Sequence, residues 1–287
     1  MKRTKILIVG GDMRQLYCAA RLSKEFDVSL LGFDEDIIPE ELKLKIADRS
    51  KKHRYDCIVL PVPPMNNEGT IFAPCSSTVI STSALDEMLT ADGVIYAGKA
   101  DEKLRKALPD REIYDYILSE EMSIKNAVPT AEGAVQLALE ELPVTLNGLI
   151  VLIVGIGRIG TALTEILKGF GADITAAVHN SRGTAKARLH GVKSIQTKRI
   201  NGKYDLVFNT VPKMIFDSEM LKKFEKNTLF IDLASKPGGV DFDAALQFGI
   251  KAIWALGLPG KTAPVTSGEI IAETISSMIF ERSEAVE

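Results

Sequence analysis

The sequence predicts an α/β protein of two doubly wound parallel-sheet domains, the second a six-stranded NAD(P)-binding Rossmann fold. Three observations carry this. Short β-rich runs alternate with helical patterns twice along the chain, which argues for parallel sheets wrapped by helices. Gly155, Gly157 and Gly160 form a G-x-G-x-x-G spacing between an apolar run and an amphipathic stretch. Six strand-like runs occupy the second half, the full set of a dinucleotide-binding sheet. A length of 287 residues fits two domains of ordinary size, drawn here at 1–128 and 129–287.

In the first half, KILIVGGD reads as a buried strand ending in glycines. A helix over about 13–24 follows, then strands at 28–31, 56–60 and 93–97. Residues 61–82 (PVPPMNNEGTIFAPCSSTVIST) are rich in Pro, Asn, Gly, Ser and Thr and read as a long loop. The loop starts where a parallel strand ends, the edge at which open α/β sheets bind ligands, so a functional role is expected. This half reads as a Rossmann-like or flavodoxin-like substrate domain. A linker helix over 130–142 is capped by Thr130, carries Gly133 in its first turn and is ended by Pro143.

In the second half, strands are expected at 149–154, 174–178, 194–196, 205–209, 229–232 and 252–255. A C-terminal helix over 267–282 is assigned to this second domain.

Composition narrows the function. The net charge of −3 gives no bulk attraction to nucleic acid or an anionic membrane. No stretch approaches the ~20 apolar residues of a membrane span, and the apolar run at 6–9 is too short for a signal peptide. Cys18, Cys57 and Cys75 show no metal-type spacing, and their odd count and sparse use suggest reduced thiols in a cytoplasmic protein. There is no HExxH, no G-x-S-x-G and no metal cluster, so hydrolase and metal readings fail.

The glycine fingerprint has a physical division of labour. Gly155 permits the tight turn, Gly157 leaves room for the pyrophosphate, and Gly160 lets helix and strand pack closely. Arg158 and Ile159 complete the cradle, and the helix they open offers free N–H groups to phosphate. At the end of the next strand stands His179-Asn180-Ser181-Arg182, where an NAD site usually carries an acidic residue. Ser181 can donate a hydrogen bond and Arg182 a charged fork to a 2′-phosphate, while His179 can stack on adenine or contact the phosphate. The alternative is that Arg182 merely starts a helix in solvent. NADP is favoured over NAD. Thr210, Val211 and Pro212, then Leu233, Ala234 and Ser235, then Gly257, Leu258 and Pro259 follow later strands and are expected to line the nicotinamide half.

The segments GGDMRQ, AVPTAEGA, VGIGRIG, NTVP, DLASKPGGVDF and ALGLPGKTAP followed by TSG succeed one another along nearly the whole chain. Taken together, they resemble the family of the dipicolinate synthase A subunit. The resemblance implies a sporulating bacterium, with the enzyme in the mother-cell cytoplasm. It also implies the last step toward pyridine-2,6-dicarboxylate, from a dihydro- or hydroxytetrahydrodipicolinate of the lysine pathway. The implied partner is the flavoprotein-like B subunit; a homo-oligomer stays open.

Aromatising a dihydropyridine removes a hydride and a proton. Lys236, Glu132 and Asp12 are the candidate catalytic groups. A dicarboxylate needs cations and donors, for which Arg14, Lys261, Ser76, Ser77, Thr78 and Thr266 are candidates, with Ser235 beside them. The two carboxylates are expected between the domains, near Arg14, Lys236 and Lys261. Each residue has a plainer alternative: Arg14 can pair with Asp12, the lysines can sit in solvent, and Glu132 can be a first-turn helix carboxylate. Two rival functions remain. A 2-hydroxyacid-dehydrogenase-like enzyme would need a cleft histidine, and His53, His179 and His190 are poorly placed for it. A non-catalytic NADP-binding subunit would use the same glycine cradle.

Overall fold

The structure is a computed structural model that describes residues 3–48 and 53–286. The chain forms two compact units, Met1–Asn126 with Ala263–Glu287, and Ala127–Thr262.

The first unit begins with β1 (Lys5–Val9), α1 (Met13–Leu22), β2 (Asp27–Leu31), β3 (Tyr55–Val59), α2 (Thr82–Met88) and β4 (Leu89–Ala97). It continues with α3 (Glu102–Ala107), β5 (Ile113–Asp115) and α4 (Glu120–Lys125). The strands are all parallel in the order β2-β1-β3-β4-β5, the flavodoxin-like winding. Ile6, Leu7, Ile8 and Val9 are fully buried, as expected of a parallel strand covered on both faces. Strand β5 and the helices α2 to α4 were not anticipated; β5 is a three-residue edge strand, too short to show periodicity.

The 61–82 segment packs onto its own sheet. Ile71 and Ile80 are buried, and the Ile71 N–H donates to the Ile80 carbonyl at 2.9 Å. Gly11 N–H donates to the Phe72 carbonyl at 2.8 Å, so the segment covers the glycine turn after β1. Its last residue is already the first of α2, capped by the Ser81 hydroxyl.

The second unit comprises α5 (Ala127–Glu141), β6 (Ile150–Val154), α6 (Arg158–Gly169), β7 (Asp173–Val178), α7 (Ser181–Leu189) and β8 (Lys193–Gln196). Then come β9 (Leu206–Asn209), α8 (Ser218–Leu221), β10 (Leu229–Asp232), α9 (Phe242–Phe248), β11 (Lys251–Trp254) and α10 (Leu258–Thr262). The sheet is parallel in the order β11-β10-β9-β6-β7-β8, which is the Rossmann order read from its other edge.

Two expectations need correction. The linker helix starts at Ala127, so Thr130 is a buried interior residue and not the cap; Pro129 is tolerated because first-turn N–H groups have no intrahelical partner. The C-terminal helix, α11 (Pro264–Val286), belongs to the first unit. Its residues Ile270, Ile271, Ile275 and Ile279 join one core with Ile6, Ile8, Leu16 and Leu22. A Cβ at Gly268 would press on the Arg14 carbonyl and come within 2.8 Å of Tyr17 Cβ, so the glycine permits the close crossing of α1 and α11. Apolar complementarity to α1 decides the helix's allegiance, and sequence order does not.

Candidate active site

At the end of β6 the chain turns through Gly155, whose φ of +88° favours glycine. A Cβ there would stand 2.6 Å from Thr210 Oγ1 and 2.8 Å from Val211 Cγ2. Gly160 lies directly against the Gly155 carbonyl and has no room for a side chain. Gly157 differs from both. It is the N-cap of α6, and a Cβ built on it meets no atom within 4 Å. Open space beside a helix N-terminus is what a dinucleotide pyrophosphate requires, so these residues fit that group. Arg158 is exposed, while the Ile159 side chain packs toward the core of the unit and leaves only its backbone for the cradle.

Beyond the end of β7 lies a cavity of about 600 Å³. Val154, Ile156, Val178, Val211, Ile215 and Met220 give it apolar walls, suited to a flat base. Its charged lining residues are Arg182, Lys186, Lys198 and Lys213, and no Asp or Glu lines it. None of these four cations has an ion-pair partner among the described residues. His179 and Asn180 line the cavity as well, but Ser181 does not. The Asn180 side chain caps α7, accepting from Gly183 N–H at 3.0 Å, so its oxygen is already engaged. Sequence reasoning missed the three lysines. Lys186 was within reach, because it stands four residues after Arg182 on one helix face; Lys198 and Lys213 arrive from other strand ends and give no local signal.

It also missed a buried network at the ends of β9 and β10. Asp232 is fully buried. Its Oδ1 accepts from Asn209 Nδ2 at 2.7 Å and Ala234 N–H at 3.0 Å; its Oδ2 accepts from Gly239 N–H at 2.7 Å. Asn209 also grips Val211 twice: its Nδ2 donates to the Val211 carbonyl at 3.0 Å and its Oδ1 accepts from Val211 N–H at 3.2 Å. Thr210 Oγ1 donates to the Val154 carbonyl at 2.8 Å, joining this loop to the glycine turn. Trp254 Nε1 donates to the Ala234 carbonyl at 2.9 Å, and its ring stacks on Phe242. Leu233 and Ala234 are thus buried, whereas Ser235 and Lys236 protrude into solvent, as does Pro212 in the neighbouring loop. Gly257 is exposed with open space where a side chain would be, Leu258 and Pro259 are buried, and Lys261 is exposed within α10.

In the first unit, Asp12 caps α1 and holds Arg14 in a two-pronged ion pair, with bonds of 2.9 and 2.8 Å from Arg14 Nε and Nη2. Burial pulls the Arg14 pKa down, but the hydrogen bond and charge of Asp12 outweigh it and hold the guanidinium above its ordinary value. Ser77 is tied to Asp34 through both its N–H (2.8 Å) and its hydroxyl (3.1 Å). Ser76 Oγ accepts from Thr78 N–H at 3.0 Å. The structure therefore realises the local partners of Arg14, Ser76 and Ser77. Thr266 is exposed on the first turn of α11, and Glu132 is exposed on α5 beside Ile166 and Phe170.

Among the described residues, His190, Cys18 and Cys57 offer no competing centre. His190 Nδ1 pairs with Glu165 at 2.7 Å on the unit's surface, and the bond lowers the Glu165 pKa. Burial pushes the Cys57 thiol up to about 12 and the Cys18 thiol higher still. Among the described residues no cluster of His, Cys, Asp or Glu could hold a metal ion.

The second unit has the form of the dinucleotide half of an NAD(P)-dependent oxidoreductase, and the comparisons with known proteins agree. Residues 126–247 match the family described as D-isomer specific 2-hydroxyacid dehydrogenase, NAD binding domain. Residues 5–117 match the N-terminal domain of the dipicolinate synthase A subunit. The dipicolinate synthase A subunit from Bacillus subtilis strain 168 is 32% identical over 287 residues, covering 96% of each chain. A crystal structure of the dipicolinate synthase A chain from B. subtilis superimposes with a TM-score of 0.87 at 30% identity, over 100% of this chain and 99% of that one. The corresponding structure from Bacillus halodurans gives 0.88 at 28% identity, over 96% and 98%. The chain belongs to the dipicolinate synthase A subunit family.

Proposed function

We propose that this chain oxidises dihydrodipicolinate, formed from hydroxytetrahydrodipicolinate, to dipicolinate, using NADP and working with a flavoprotein-like B subunit in the mother cell of a sporulating bacterium. The observation that carries the cofactor choice is the cavity beyond β7, with four cations in its lining and no carboxylate. A 2′-phosphate adds charge that such a lining favours and that an acidic residue at the strand end would repel. The bound dinucleotide supplies the hydride acceptor. Gly157 and the N-terminus of α6 receive its pyrophosphate, and the loops after β9, β10 and β11 receive its nicotinamide half. Lys236 and Lys261, both exposed at strand-end segments of the second unit, bring positive charge to a dicarboxylate; Arg14 in the first unit is a further proposed contact, although Asp12 balances its charge. Asp12, Glu132 and Lys236 are the groups proposed for proton transfer.

Calorimetric titration of the purified chain tests the cofactor: NADP is expected to bind at least tenfold more tightly than NAD. Arg182→Ala should weaken NADP by about 1–3 kcal/mol and leave NAD nearly unchanged. Equal affinity for the two would sink the NADP reading. Assay of the chain alone with substrate and NADP⁺ separates a catalytic subunit from one that only binds cofactor for its partner. Ser76, Ser77 and Arg14 already have protein partners, and that engagement is what keeps the second reading in view.

A further inference from the structure

We infer that Asn209 and Asp232 are positioning residues for the nicotinamide half of the cofactor, acting through the backbone of the two loops that they clamp. The inference rests on the reading that these loops receive the nicotinamide. Asp232 is fully buried, both its oxygens act as acceptors, and no cation pairs with it among the described residues. A buried carboxylate without a counter-ion is costly to desolvate, but this one satisfies three donors that an apolar side chain would leave without a partner. What the carboxylate does here is geometric. Its two backbone donors, Ala234 and Gly239, are the two ends of the excursion that carries Ser235, Lys236 and Pro237 into solvent. Gly238 N–H closes that excursion on the Ser235 carbonyl at 2.8 Å. Through Asn209 the same carboxylate is joined to Val211, and through Thr210 the loop is joined to the glycine turn. One buried network thus sets the spacing of three loops at the carboxyl edge of the sheet. Gly239 has no room for a Cβ against the Val211 and Lys213 carbonyls, 2.9 Å away in each case, so the two loops also touch directly. Fixing loops before a ligand arrives lowers the ordering cost of binding and holds reacting groups in register.

The test compares a whole dinucleotide with its own adenosine fragment in wild type, Asp232→Asn and Trp254→Phe. For a chain that binds NADPH the fragment is adenosine 2′,5′-bisphosphate; for one that binds NADH it is ADP. Failure of the NADP reading therefore shows in the wild type and leaves this comparison intact. Asparagine at 232 sets an amide N–H against at least one donor that the carboxylate now satisfies. Expected is a tenfold or greater loss of dinucleotide affinity, with fragment affinity within twofold of wild type. Phenylalanine at 254 keeps an aromatic ring beside Phe242, removes the bond to the Ala234 carbonyl and trims the indole that stands against Gly238, for an expected threefold to tenfold loss in the same ratio. Trp254→Phe keeps the test decisive if Asp232→Asn fails to fold. Unchanged dinucleotide affinity, or an equal fall for dinucleotide and fragment, overturns the inference.

Discussion

Gly157 and Gly160 stand three positions apart and carry opposite constraints. Gly157 has a φ of −80°, which any residue adopts, and open space where a side chain would go. Gly157→Val should therefore fold, at a cost of about 1 kcal/mol for a poorer helix N-cap, and should lose NADP binding because the branch occupies the pyrophosphate's place. Gly160→Ala pushes its methyl into the Gly155 carbonyl and should cost about 1–3 kcal/mol as well as cofactor affinity. Thermal melts run beside NADP titrations separate the two cases; an unaltered Gly157→Val titration would make the turn purely structural. The thiols offer a pH test. With Cys57 at about 12, only about one molecule in ten thousand carries its thiolate at pH 8, and Cys18 is higher still. Iodoacetamide at pH 8 should label half-buried Cys75 well ahead of both, as read by mass spectrometry of the native protein. The glycines were legible in the sequence because their spacing is local. Asp232 was not, because nothing in the sequence marks its Oδ2 as the acceptor for an N–H seven residues on.

At the scale of elements, the strands of the second unit stand within one residue of the sequence reading, because most are short apolar runs bounded by turn residues; the edge strand β8, KSIQ, is the exception in composition. Strand β5 and helices α2 to α4 were too short to carry a period. The segment at 61–82 reads as a loop, yet its packing onto Gly10 and Gly32 follows from Ile71 and Ile80, buried apolar residues inside a largely polar composition. Helix α11 was legible as a helix, but the partner of its apolar face was not. Ile275 is fully buried in the core that α11 shares with α1, so Ile275→Ala should destabilise the first unit by about 2–4 kcal/mol. Dinucleotide affinity, which belongs to the other unit, should stay within twofold. A chemical-denaturation midpoint that does not move would contradict the placement of α11.

For the whole molecule, two cores assembled from different stretches of chain should respond separately to a ligand that only one of them binds. At a free dinucleotide concentration of 100 times its Kd, the second unit gains about 2.7 kcal/mol. Calorimetric melts should then show one transition shifted upward and another left in place. A single transition that moves as a whole would mean that the units unfold together.

The return of the chain to its first unit after Thr262 also has a consequence in time. During synthesis α1 and its sheet emerge early, but the helix that covers their apolar face is made only after the whole of the other unit. At ordinary translation speeds the delay is on the order of ten to thirty seconds. Through that interval Leu16, Ala19 and Leu22 lack their cover, while the dinucleotide unit already has every residue that it needs. A ribosome that stalls before Ala263 would release a chain able to capture cofactor yet greasy along α1, the kind of nascent product that chaperones hold and proteases clear.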